Sequence, residues 1–382
     1  MNIYNGLKKV YNILYESVKS NAFMYGGDAL LNDKAKIRIS YILRLTDEIR
    51  RKVKMGETKR KKVVGFTAGR RGGNTEIYMK VALQAISEMG IDVELIRLHE
   101  CDLHPCVDCT RGMCYVKGPE GCIFKDDGPW LAQKFLESDG YLLGAPVWSL
   151  SPCGIVTDFR DRVFGPKMDL AGWEINGGSP EWAKGQVKQR PGGLISVGGA
   201  LTEHWTSMGL ATLYTTTFSA QTNVVDHMNV YQVADPGEAL MRKDYMLRAK
   251  YLGQNVGHAV LNPQVDWEHR WLGPLDDGEA CPGCHMSNVI AKPGRDYVEC
   301  VVCGRKGKIT LDKDGKMQFT WPEDNRDRLT MMGKFDHMRE IARHTEERYN
   351  PHVDEIQDEL KKYRQMEDFV VKAPSRTKKT QA

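Results

Sequence analysis

The sequence predicts an α/β fold, an open doubly wound sheet of five parallel strands flanked by helices, with a helical hairpin before it and a small metal ribbon plus helices after it. Three observations carry this expectation. From Lys61 onward, apolar runs of strand length alternate with segments whose apolar residues recur at helical spacing, as a parallel sheet with crossover helices requires. The stretch Lys61 to Thr75, KKVVGFTAGRRGGNT, passes from an apolar strand through a glycine-rich basic loop straight into a helix. Four cysteines in the pattern C-x2-C-x15-C-x2-C follow the last helix of the alternation and mark a separate metal-bound unit.

Composition sets the bounds. At 382 residues, 41% hydrophobic and 27% charged, the chain suits one full-sized domain with small appendages. The net charge of +4 decides nothing about nucleic acid by itself, but the basic residues are interleaved with acids and form no patch, so nucleic acid is the least favoured partner. No run approaches the ~20 apolar residues of a membrane span. Met1 to Ser20 is polar throughout and carries no cleavage-type site, so a cytoplasmic protein without a membrane partner is expected. Eight of the ten cysteines fall into two clusters at metal-like spacing, which fits a reducing compartment.

Taken in order, residues 1–58 contain two apolar stripes, Ile3, Leu7, Val10, Leu14, Val18 and Ile42, Leu45, Ile49, Val53, separated by a loop with Gly26, Gly27 and Asn32. They read as a helical hairpin that packs on the core or on a neighbouring subunit. The main domain is expected over 59–264. Val63, Val64 and Phe66 form its first strand, and Thr75 to Met89 a helix with Ile77, Val81, Ala85 and Met89 on one face. Asp92 to Leu98 is a strand, Gly128 to Glu137 a helix and Gly140 to Val147 a strand. After a polar insertion ending at Arg190 come strands Gly193 to Val197 and Val224 to Val233, then a closing helix Glu238 to Val260. Five strands and about five helices are the inventory of a flavodoxin-like sheet, in which ligands sit beyond the carboxyl ends of the strands. Beyond it, 275–322 reads as the ribbon with a hairpin-like stretch Leu311 to Phe319, 323–371 as two striped helices interrupted by Pro351, and 372–382 as a disordered tail.

The glycine loop supports a specific chemistry. Asn74 and Thr75 are N-cap residue types, so the first free N–H groups of the helix point into a loop to which Arg70 and Arg71 add positive charge. That arrangement favours a phosphate. An ordinary strand-to-helix turn is the competing reading, because neither the Walker spacing nor G-x-G-x-x-G is present.

Three stretches, GRRGGNTE, the Asp126-Asp127 pair ahead of a helix, and DGYLLGAPVWSLSPCGIVTDFRDR, resemble the signatures of the NAD(P)H-dependent FMN reductase family in order and spacing from about Lys61 to Asn262. The cysteines ahead of Asp126 are similar to those of its iron-sulfur flavoprotein subgroup. The resemblance implies an FMN whose phosphate is held by Arg70, Arg71, Gly73, Asn74 and Thr75. It implies that Pro146, Val147, Trp148 and Ser149 line the isoalloxazine, and that Gly198 and Gly199 form the loop over its other edge. Departures are visible: Ala68 stands where serine is common, Trp148 where tyrosine is usual and Thr157 where lysine is common, and ALTEHW after Gly199 lacks the frequent Gly-Gly-Gln-Glu. Glu203 and His204, just after the fourth strand, are the candidates for contact with substrate, weighed against a solvated carboxylate and a surface histidine.

Cys106, Cys109, Cys114 and Cys122 are spaced C-x2-C-x4-C-x7-C. Four thiolates in one loop are what a [4Fe–4S] cube needs. The four-residue gap between the second and third departs from the compact family motif, so zinc and free packing thiols stay open. Cys281, Cys284, Cys300 and Cys303, with Gly283 and Gly304 at the turns, have zinc-ribbon spacing, with rubredoxin-type iron as the alternative. Cys153, in a Ser-Pro-Cys-Gly turn, reads as a small packing residue.

The function expected is an FMN oxidoreductase passing electrons from NAD(P)H or a carrier protein to a small acceptor such as a quinone, a flavin or another conjugated compound, with an iron–sulfur cluster as relay. No Ser-His-Asp or paired-carboxylate set competes with this in the strand-end loops. The alternative is a non-catalytic flavin and metal carrier serving a partner enzyme. The stripes outside the sheet imply a homo-oligomer.

Overall fold

A computed structural model of the chain describes residues 60–370, except 110–113, 115–116, 166, 265–268, 276–280 and 324–325. The expected N-terminal hairpin and the tail from 372 lie outside the described residues. The main sheet is built from β1 (Lys62–Thr67), β2 (Asp92–Arg97), β3 (Gly140–Ser149), a two-residue β4 (Ser151–Pro152) antiparallel to the end of β3, β5 (Pro191–Val197) and β6 (Asn223–Val230). Its five long strands run parallel in the order β2-β1-β3-β5-β6. This is the flavodoxin-like order, with the switch point between β1 and β3.

Successive residues of β1 explain the doubly wound form. Val63 packs with the buried residues of α1 (Asn74–Glu88) and of the helix Lys243–Leu261, while Val64 and Phe66 pack on the opposite face. That face is covered by α2 (Gly128–Glu137), by α3 (Ile155–Phe159) continuing as a π-turn Arg160–Phe164, and by α4 (Leu170–Ile175) and α5 (Gly209–Thr216). A strand buried on both sides must be apolar at consecutive positions, which is how β1, β3 and β5 read in sequence. The closing helix begins later than expected: Glu238–Met241 is a 3-10 turn, and α6 (Lys243–Leu261) starts after it. The chain leaving α6 returns along β6, where Leu272 and Gly273 donate to the Val225 carbonyl and cover the sheet edge.

The ribbon is a four-stranded antiparallel sheet of β7 (Val289–Ala291), β8 (Val298–Cys300), β9 (Lys306–Leu311) and β10 (Met317–Thr320). It is joined to the main domain, because its four cysteines, Met286 and Val302 share one apolar cluster with Leu210, Leu213 and Tyr214 of α5. Next come α7 (Met331–His344), N-capped by the Thr330 hydroxyl on Gly333 N–H at 3.1 Å, and α8 (Val353–Gln365). Pro351 does not separate these helices by a loop. A π-turn, Thr345–Tyr349, and a 3-10 turn, Asn350–His352, carry the chain on, because proline at the start of a helical turn needs no N–H bond there.

Candidate functional site

The carboxyl ends of β1, β3 and β5 and the loop after β6 enclose a cleft of about 580 Å3. One end is polar. Gly73 N–H closes on the Arg70 carbonyl at 2.9 Å, Gly72 takes the left-handed conformation with φ +68°, and Gly69 N–H rests on Thr67 Oγ1 at 3.1 Å. The turn thus formed aims the unpaired N–H groups at the start of α1 into the cleft beside Arg70. Arg70 is exposed and has no ion pair among the described residues. Arg71 instead reaches Glu100 at 3.0 Å and is not part of the lining.

Thr75 lines the cleft, and Asn74 does so with its amide already engaged. Its Nδ2 donates to the Asp235 carbonyl at 2.7 Å, and its Oδ1 accepts from Gly237 and Ala239 N–H at 3.0 and 3.2 Å. The side chain therefore ties the β6 loop to α1 and leaves the backbone to meet an anion. The next residue, Glu76, is fully buried beneath the helix start. Two hydrogen bonds from Arg97 overcome its burial and, with Lys80, hold its carboxyl down at about 2.

The other end of the cleft is apolar and aromatic: Pro146, Val147 and Trp148 from β3, Val197 from β5, and Val233 and Ala234 from the β6 loop. Trp148 is 67% exposed, and the His99 imidazole stacks on it at 5.9 Å between centroids and 9° between planes. His99, Val233 and Ala234 were not singled out in the sequence. His99 follows β2 directly, and the rule that ligands meet strand carboxyl ends is the one signal that points to it. The buried Cys153 thiol lies 3.7 Å from His99 Nε2, and burial raises its pKa to about 11.

Of the remaining candidates, Ser149 is exposed and outside the lining, and Gly199 lines the cleft. Gly198 is buried and pairs through its backbone with Val230 and Val233. Glu203 and His204 sit on an exposed 3-10 turn outside the cleft, where His204 Nδ1 meets Thr202 Oγ1 at 3.0 Å. Glu203 faces a second notch of about 340 Å3 between β6 and the ribbon, with His227, Asn229, Arg248 and Trp271.

The Asp126-Asp127 pair and the Asp161-Arg162 dipeptide turn out to be two halves of one fastening. The side chains of Arg162 and Asp126, each at most 1% exposed, make paired hydrogen bonds of 2.6 and 2.7 Å, and Asp126 also accepts from His104 and Gly128 N–H. Burial opposes its ionisation, but these bonds outweigh it and hold the carboxyl well below the usual range. Asp127 accepts from Asp102 N–H at 2.8 Å, so the pair pins the entrance of the cysteine loop to α2 and α3. Cys106 is exposed, and Cys109, Cys114 and Cys122 are half-buried. They are not drawn within single-ion distance of one another.

The ribbon cysteines are all buried, and their sulfurs lie within 4.8 Å of one another, Cys281 to Cys303 at 3.2 Å and Cys284 to Cys300 at 3.4 Å. Two knuckles build this, with His285 N–H on the Cys281 carbonyl, Gly304 N–H on the Cys300 carbonyl, and left-handed backbone at His285 and Gly304. Four such sulfurs fit a tetrahedral thiolate-bound ion, and among the described residues no other group meets that condition.

Residues 61–229 match the NADPH-dependent FMN reductase family. A flavone synthase of Aspergillus candidus, cfoJ, is 29% identical across 82% of this chain and 98% of its own length. An iron-sulfur flavoprotein of Methanocaldococcus jannaschii is 40% identical over 88 residues, 23% of this chain and 44% of that one. The solved structure of a flavone reductase superposes with a TM-score of 0.65 at 25% identity, covering 82% of this chain and 99% of the other. The volume and two-ended character of the cleft fit FMN, the phosphate at the loop of β1 and α1 and the ring along β3. Residues 61–229 therefore form a flavodoxin-like domain that matches the NADPH-dependent FMN reductase family, and the protein is an oxidoreductase of the flavin-dependent kind.

Proposed function

We propose that the protein moves a hydride from NADPH to a planar conjugated carbonyl compound of the flavonoid type, through FMN seated in the β1–β3–β5 cleft. The observation that carries this reading is the exposed aromatic wall of that cleft, Trp148 stacked on His99, with Leu201 and Trp205 exposed on the loop after β5. A flat aromatic ligand gains most from such surfaces. The similarity to a flavone reductase and a flavone synthase, over most of each chain, supports the substrate class. FMN held there would supply two-electron chemistry between the nicotinamide and the acceptor, a hydride added at the acceptor's β-carbon being matched by a proton from water at its α-carbon. The chain's own part is to anchor the phosphate with the α1 N-terminus and Arg70, to position the ring along Pro146–Trp148, and to shelter one side with Val197 and Val233.

We assign the ribbon to structural zinc and the Cys106–Cys122 loop to a [4Fe–4S] cluster that relays electrons to the flavin. The family of iron-sulfur flavoproteins among the relatives supports the second assignment. A homo-oligomer is part of the same reading, and light scattering tests it.

The deciding experiment is anaerobic mixing of flavin-loaded protein with NADPH and then with flavone. Bleaching of the flavin by NADPH, its return on adding flavone, and a reduced flavone product are expected. Flavin that is reduced by NADPH but not reoxidised by flavone, yet reoxidised by a quinone, would overturn the substrate class and keep the oxidoreductase.

A further inference from the structure

We infer that the cavity between α5, the ribbon and α7 is a second small-molecule site, one that takes an apolar carboxylate with its head group at Lys334. The site is separate from the flavin cleft and does not depend on the acceptor assigned above.

The cavity measures about 580 Å3, as much as the flavin cleft, and shares no lining residue with it. Its walls come from four parts of the chain: Ala171 in α4, Phe218 just after α5, Val302 between two ribbon cysteines and Met338 in α7. Sites for small ligands have this character, with volumes of roughly 300–1,000 Å3, mostly apolar walls and a few placed polar groups.

The placed polar group here is Lys334, which lines the cavity while being only 7% exposed. Its amine donates to the Phe218 carbonyl and to Gln221 Oε1, and it stands 4.2 Å from the centre of the Phe218 ring. These partners hold the N–H groups but carry no net negative charge. The carboxylates nearby are committed elsewhere. Asp169 is also in the lining, but its Oδ1 caps α4 by accepting from Gly172 N–H at 3.1 Å. Asp327, ahead of α7, pairs with Arg305 at 2.7 Å. Arg328 brings a second cation to the lining, half exposed and 3.8 Å from Glu299.

Two cations thus face the cavity against the single carboxylate of Asp169, and its walls are apolar. An ammonium taken out of water without a counter-ion is costly. A carboxylate head group supplies that counter-ion, and a hydrocarbon or aromatic body removes apolar wall from water. Because such an occupant touches α5, the ribbon and α7 at once, its binding also stabilises their docking.

The test is calorimetric titration of full-length, FMN-loaded protein with 2-naphthoate and with 2-naphthalenemethanol, which has the same rings and no charge. A pH of about 6.5 keeps the amine protonated, since burial brings it down to about 7. Wild type is expected to bind one naphthoate per chain, at least tenfold more tightly than the alcohol, with a rise in melting temperature. Lys334→Met is expected to bring naphthoate down to the level of the alcohol. Thr215→Trp, at an exposed position of the lining, is expected to weaken both compounds at least tenfold by filling the space. Equal affinity for the two compounds in wild type, or no saturable binding of either, overturns the inference. So does naphthoate binding that survives both substitutions, or that is lost in Trp148→Ala and kept in Thr215→Trp, which places the probe in the flavin cleft. Should Lys334→Met fail to fold, as judged by circular dichroism, Lys334→Gln keeps a donor for the Phe218 carbonyl without the charge and serves the same comparison.

Discussion

Gly69 lies so close to the start of α1 that an added Cβ would meet Thr75 Cβ at 2.8 Å and the Glu76 backbone nitrogen at 3.3 Å. Gly69→Ala is therefore expected to push the loop off the helix and disperse the N–H donors. Arg70 offers an uncommitted guanidinium to the same place, and a hydrogen bond to a charged group is worth roughly 1.5–3 kcal/mol. Arg70→Ala should then weaken FMN binding about ten- to a hundredfold, read as flavin fluorescence quenched on titration into apoprotein. Wild-type affinity in both variants would show that the phosphate sits elsewhere. The tight turn itself was legible, because glycines and cap residues announce a local geometry. The role of Asn74 was not. Its amide bonds to backbone groups 161 to 165 residues away, and a residue type tells that a side chain hydrogen-bonds, not with what. His99 stayed hidden for the same reason, since its partner Trp148 comes from another strand.

Elements are joined here by buried charges. Asp126 at the start of α2 and Arg162 after α3 were each visible as motif residues, but their bond spans 36 positions and only the packed fold creates it. Removing one partner of a buried pair leaves the other unpaired, at a cost of about 3–5 kcal/mol. Asp126→Asn should lower the unfolding midpoint in urea accordingly, and adding Arg162→Met should recover part of the loss. Strictly additive effects would mean the two do not act as a pair.

The docking of α7 makes a pH-dependent prediction. Burial brings Lys334 down to about 7 from an ordinary value of 10.5. Between these values the unfolded chain holds a proton that the folded one does not, so this group's contribution to stability rises with pH from about 7 to 10.5 and is flat below. The melting temperature of wild type minus that of Lys334→Met should climb over that window. A difference that does not change with pH would place the amine in water. The stripe of α7 was readable from its period, but nothing in the period reveals a lysine on the buried side reaching the Phe218 carbonyl.

At the scale of the whole molecule, the sheet was the most legible part, because strands buried on both faces must be apolar without interruption and so declare themselves. The ribbon declared its four-cysteine metal site and hid its seat. Its cysteine spacing expresses what the ion needs, whereas the residues that dock it, Met286 and Val302, are single apolar positions with no period to read. From the sequence, the ribbon is a separate metal-bound unit and Cys284→Ser is expected to loosen Cys281 to Lys308. The structure extends that expectation to the elements the ribbon touches. Tyr214 Oη donates to the Cys284 carbonyl at 2.7 Å, His227 Nε2 lies 3.2 Å from the His285 carbonyl, and α5 rests on the knuckles while the loop before it starts at Gly199 in the flavin cleft. Metal binding free energy is folding free energy for such knuckles. Its loss should thus reach α5 and β6. In Cys284→Ser, hydrogen exchange is expected to quicken across Gly209–Thr216 and Asn223–Val230 as well as in the ribbon. The melting temperature should fall by about 2–4 °C for each kcal/mol lost, as for other domains of 150–250 residues. Flavin reduction by NADPH should persist at low temperature, because no ribbon residue lines the cleft. Exchange confined to Cys281–Lys308 would restore the picture of an independent module. Abolished flavin reduction with unchanged exchange in α5, together with iron in the ribbon, would make it an electron relay.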